Sequence, residues 1–151
     1  MQTTRISAAQ AAMRIAMTLA TVATALVALP ALAADSGCAT VEVQNVRPKQ
    51  GRLMVAAYLD VGSFRKTSAS SLDLAAGDDA TVRFQLCGLS GTEVALTLFQ
   101  DLDSNGKLNT NLLGVPSEPW GASGSPGVMG PKWDTTRVPL NGEPIVVRMS
   151  Q

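Results

Sequence analysis

The 151-residue chain is 46% apolar, 16% charged and 4% aromatic, with twelve acidic and twelve basic side chains, two cysteines and no histidine. Balanced charge argues against a nucleic-acid binder, which needs a basic face. The lack of histidine removes the commonest general base, the usual zinc ligand and every Ser-His or Cys-His catalytic pair.

Residues 1–33 read as a cleaved secretory signal peptide. Arg5 and Arg14 are the only charges before Asp35, Ile15 to Leu29 is uncharged, and Ala31-Leu32-Ala33 supplies a small-x-small cleavage site. The apolar run is shorter than the roughly 20 residues a bilayer span requires. Cleavage after Ala33 leaves one domain, residues 34–151, with ten basic and twelve acidic side chains and no membrane span. Cys38 and Cys87 then sit in an oxidising compartment, and an even pair there is most simply a disulfide. A redox pair has no C-x-x-C motif or cationic cluster to support it.

In chain order, Val41, Val43 and Val46 alternate with polar residues, as in a half-buried strand, and Arg47 to Gly51 is a turn. Leu53 to Leu59 is nearly continuously apolar, as a central strand would be. Residues 60–71 are polar and Ser-rich, with Phe64 as an anchor. Strands follow at Thr81–Cys87 and Glu93–Phe99, then a long aperiodic stretch over 100–133. Two short strands end the chain, about Thr135–Leu140 and Pro144–Met149, joined as a hairpin across Asn141-Gly142. No segment of the mature chain has helical periodicity. Six or seven strands with these turns predict an all-β, antiparallel β-sandwich.

The chemistry-bearing stretch runs from Asp101 to Asn109, Asp-Leu-Asp-Ser-Asn-Gly-Lys-Leu-Asn. Oxygen-bearing side chains stand at loop positions 1, 3, 5 and 9 (Asp101, Asp103, Asn105, Asn109), glycine at 6 (Gly106), and the Lys107 carbonyl would serve position 7. This is the first half of an EF-hand-type calcium loop, in which alternate residues converge on one hard cation. Position 12 is Leu112 instead of a bidentate Glu, so Asn111 or Glu118 would have to substitute. The same residues also suit a structural turn, because Asp and Asn side chains bond nearby backbone N–H groups. Asp101, Asp103 and Glu118 could alternatively serve a small glycan hydrolase. Trp120 and Trp133 could serve a carbohydrate-binding module or close one end of the sandwich. Ser63-Phe64-Arg65-Lys66 matches S-x-x-K but lacks its partner motifs.

Leu89-Ser90-Gly91-Thr92, the run Phe99 to Asn111, and Leu113-Gly114-Val115-Pro116-Ser117-Glu118-Pro119-Trp120-Gly121-Ala122-Ser123 resemble the domain-of-unknown-function family 2141, exported bacterial proteins. The resemblance extends from Val41 to Met149. It implies an immunoglobulin-like or transthyretin-like β-sandwich and a cell-envelope location, and no assigned activity. Asn109 departs from the family's usual Asp, which removes one charge from an ion site. The expectation is therefore an exported, non-enzymatic protein, periplasmic or secreted. Its 101–111 loop would bind calcium, and Glu118, Trp120 and Trp133 would mark a surface for a cell-envelope protein or glycan.

Overall fold

The structure, a computed structural model, describes residues 37–127 and 129–150. The expected leader, 1–33, lies outside the described residues. Eight strands form two sheets: β1 (Cys38–Gln44), β2 (Arg52–Tyr58), β3 (Ser70–Ala75), β4 (Thr81–Cys87), β5 (Glu93–Asp101), β6 (Trp120–Ala122), β7 (Arg137–Pro139) and β8 (Ile145–Arg148). One helical turn, α1 (Trp133–Thr136), precedes β7. The smaller sheet has the order β4-β1-β8. The larger has the order β3-β2-β5-β6, with β7 pairing β5 beyond β6.

Period-2 alternation explains how the sheets meet. Val41 and Val43 of β1, Leu53, Val55 and Ala57 of β2, Val94, Leu96 and Leu98 of β5, and Ile145 and Val147 of β8 all point inward and form one buried cluster. Burying each large aliphatic side chain contributes roughly 1.5–3 kcal/mol, so this shared core holds the sheets together. No helix among the described residues is long and apolar enough to cross a membrane.

The disulfide is present. Cys38 and Cys87 face each other across β1 and β4, with Cα atoms 3.9 Å apart, and close a separation of 49 residues.

Four expectations change. Two strands join those foreseen: β3, whose only inward apolar residues are the half-buried Leu72 and Leu74, and β6, which has three residues. The stretch expected as a strand from Thr135 begins instead inside a helical turn. The sheets are not wholly antiparallel, because β8 runs parallel to β1. Asn141-Gly142 is a turn, with Gly142 at φ 86° and the Asn141 side chain accepting from Glu143 N, but it does not join a hairpin. β7 pairs with β5 in one sheet and β8 with β1 in the other. Beside β1, Ile145 and Val147 are buried in the core shared by the two sheets.

Candidate metal centre and adjoining groove

Asp101 ends β5 on the face shared with Thr97 and Phe99, opposite the core-facing Leu96, Leu98 and Gln100. The buried Gln100 amide fixes the neighbouring turn. Its Oε1 accepts from Arg47 N (2.9 Å), and its Nε2 donates to the carbonyls of Arg47 (2.7 Å) and Gln50 (2.6 Å). Gly51 then passes so close that a Cβ there would lie 1.9 Å from the Asp101 carbonyl oxygen, at a φ of 60° that also favours glycine.

The chain folds back on Asp101 immediately. Its Oδ1 accepts from Asn105 N (3.1 Å) and its Oδ2 from Gly106 N (2.7 Å). Gly106, at φ 75°, turns the loop. Asp103 accepts from Asn105 N (3.2 Å) and from the side-chain amides of Asn105 (3.0 Å) and Asn109 (2.8 Å). The Asn105 side-chain oxygen, Oδ1, accepts from Lys107 N (2.8 Å). Burial pushes the Asp101 carboxyl up, but donation from the Gly106 and Asn105 N–H groups outweighs it, and the group lies below its ordinary range.

Glu118 is expected on a ligand surface beside the tryptophans. The structure places it elsewhere. It is 6% exposed, and its two oxygens accept from Leu102 N (2.8 Å) and Asn109 N (2.9 Å), one each. The carboxylate thus ties both ends of the 102–109 loop together and closes on the two aspartates. Asp101, Asp103 and Glu118 each offer an oxygen within 4.8 Å of the others. Glu118, and not Asn111, stands beside the two aspartates. The Asn111 side chain instead accepts from Leu113 N (2.9 Å) and Val115 N (3.0 Å), shaping a tight excursion over 109–117. Among the described residues no Lys or Arg forms an ion pair with any of the three carboxylates.

A carboxylate has about four lone-pair positions, so each of the three retains acceptor capacity for a cation. Asn105 and Asn109 both turn their amino groups toward Asp103, and Asn105 Nδ2 also donates to Asn109 Oδ1 (2.8 Å). Rotation of these amides would present their oxygens instead.

The two tryptophans separate. Trp120 pairs with Phe99 across β5 and β6 and lines a groove of about 720 Å³ on the outer face of the larger sheet. Trp133 does not line it. It packs edge-on against Phe64 (centroids 5.9 Å apart), which packs edge-on against Tyr58 (5.3 Å). Phe64 therefore anchors the 60–67 turn, as its sequence setting suggests. None of the three clustered carboxylates lines the groove.

Sequence reasoning missed the groove. Its floor comes from the outer faces of β5 and β6, and its walls from three segments distant in the chain: the turn at Arg65, residues 108–116 and residues 129–131. One signal was available: Leu112-Leu113 inside a polar, Gly/Asn-rich loop, where exposed apolar side chains have no local structural use.

Residues 41–147 match the family described as "Uncharacterized protein conserved in bacteria (DUF2141)". The chain belongs to this family. No curated protein and no solved structure matches the chain. The family match spans both the clustered carboxylates and the groove, so both lie within the family's own domain.

Proposed function

We propose that this protein is an exported, non-enzymatic calcium-binding β-sandwich of immunoglobulin-like or transthyretin-like type. Its calcium loop would use Asp101, Asp103, Asn105, the Lys107 carbonyl and Asn109, with Glu118 as the ligand brought in from the next segment. The observation carrying the reading is the approach of Asp101, Asp103 and Glu118 within 4.8 Å, around a loop that begins Asp-x-Asp-x-Asn-Gly. Hard cations such as calcium take six to eight oxygens and tolerate irregular geometry. A loop tied at its base by a buried carboxylate offers such a set at little entropic cost. Export would suit the disulfide, which persists in oxidising compartments, and would expose the site to the higher calcium levels at which extracellular modules bind. A protein or glycan of the cell envelope would meet the surface beside the loop.

The test is thermal unfolding in chelator and in excess calcium. A ligand that binds only the folded state adds about 2.7 kcal/mol at a hundredfold excess over Kd, a rise of roughly 10 °C for a domain of this size. Asp101→Ala with Asp103→Ala should remove that rise. No rise in the native protein would refute the ion site.

A further inference from the structure

We infer that the groove on the outer face of the larger sheet is a binding site for a long-chain carboxylate, with Arg65 as the charge partner of its head group. The inference does not rest on the calcium reading, because the clustered carboxylates do not line the groove.

Three observations support it. First, the volume of about 720 Å³ lies within the roughly 300–1,000 Å³ of small-molecule sites. Second, the lining is apolar on the floor and at the rim. Phe99 and Trp120 form the floor, and Leu113, Val115 and Met129 stand at 87%, 54% and 87% exposure with groove-facing surface still in water. An alkyl chain laid between them would remove that surface from water. The lining holds no carboxylate and no side-chain amide, the groups that match sugar hydroxyls, so a glycan is a poor fit.

Third, Arg65 is the one charged residue in the lining. Arg52, Arg83 and Arg137 each pair with a carboxylate, but Arg65 pairs with none among the described residues. Its backbone is left-handed at φ 58°, uncommon for a residue with a side chain. The surrounding turn enforces that conformation. Asp60 accepts from Ser63 N and Oγ, Lys66 N and Thr67 N donate to the Ser63 carbonyl, and Phe64 is held between Tyr58 and Trp133. A guanidinium can hold a carboxylate by two parallel hydrogen bonds. An apolar groove with a single unpaired cation therefore selects an apolar chain with one anionic end.

The test is a tryptophan-emission titration of the full-length protein with monomeric dodecanoate and with dodecanol, repeated with Arg65→Ala, in both chelator and calcium. The expected result is saturable binding of dodecanoate, roughly two- to fivefold tighter than dodecanol, the range an exposed ion pair contributes. Arg65→Ala should bring the two ligands to equal affinity. Arg65 is exposed, so its truncation leaves the core untouched. Equal affinity of acid and alcohol for the native protein, or unchanged dodecanoate affinity in Arg65→Ala, would overturn the assignment. So would saturable binding of maltohexaose in place of the carboxylate. Association with phosphatidylglycerol vesicles but not with monomeric dodecanoate would make the face a membrane-contact surface and would also overturn it.

Discussion

Replacing Glu118 by Gln separates the structural role of this carboxylate from its proposed role toward a cation. In the native protein its two oxygens serve two different backbone donors, Leu102 N at 2.8 Å and Asn109 N at 2.9 Å, in a setting only 6% exposed. Glutamine keeps one acceptor oxygen and turns an NH2 toward the second donor. One N–H then loses its partner, and an unsatisfied buried donor costs roughly 1–3 kcal/mol. At about 4 °C per kcal/mol for a domain of this length, melting in chelator should fall by roughly 4–12 °C. Excess calcium should restore much less stability to Glu118→Gln than it adds to the native protein, because a charged ligand is gone. Differential scanning calorimetry with chelator and with calcium reads both effects. A variant melting within about 1 °C of the native protein in chelator would refute the claim that Glu118 ties the loop ends. An unchanged calcium increment would remove Glu118 from the ligand set.

Two further outcomes follow from the same contacts. Reduction of Cys38–Cys87, or Cys87→Ser, releases a 49-residue separation and should lower stability by about 4 kcal/mol if the closed loop acts through unfolded-state entropy; urea unfolding with and without reductant checks it, and equal midpoints would refute it. Asp101 lies below its ordinary range in the folded state, so the folded protein binds fewer protons than the unfolded chain as the group titrates. Its contribution is full above the unfolded value of about 4 and is lost as pH falls through the lower folded value. The drop in urea midpoint from pH 5 to pH 3 should therefore be smaller in Asp101→Asn than in the native protein, and an equal drop would exclude Asp101 as a contributor.

Five strands were legible because alternation, apolar runs and turn residues are local signals. Val41/Val43, Leu53 to Leu59, Val82 to Leu86, the run from Glu93 and the final Ile145/Val147 each carry their inward face in the sequence. The two omitted strands lacked it. β3 has two inward leucines, and its outer face is stabilised by the Arg52–Asp73 ion pair across β2, a partner 21 residues away. β6 has three residues and gains its place from Phe99 opposite Trp120 and from the Ser150 side chain, which accepts from Trp120 N at 3.0 Å.

Of the site, the residues were legible and their company was not. Asp-x-Asp-x-Asn-Gly states its own loop geometry, because oxygens at alternate positions and a glycine at the sixth act within a few residues of one another. The return of Glu118 to that loop depends on two backbone hydrogen bonds across 16 and 9 residues, which no local pattern encodes. The same holds for Trp120 and Trp133. They are near neighbours in sequence, yet one joins the groove and the other an aromatic chain with Phe64 and Tyr58.

By itself the sequence determined the all-β class, the disulfide partners, the family and the Asp/Asn-rich loop after β5, because each rests on composition, a count of two, or contacts between near neighbours. Only the tertiary structure decided that β8 runs beside β1 instead of pairing with β7, that Glu118 closes the loop, and that Arg65 stands alone at an apolar groove. Those outcomes turn on which surfaces bury together, and burial is a property of the packed sheets and not of any single stretch of chain.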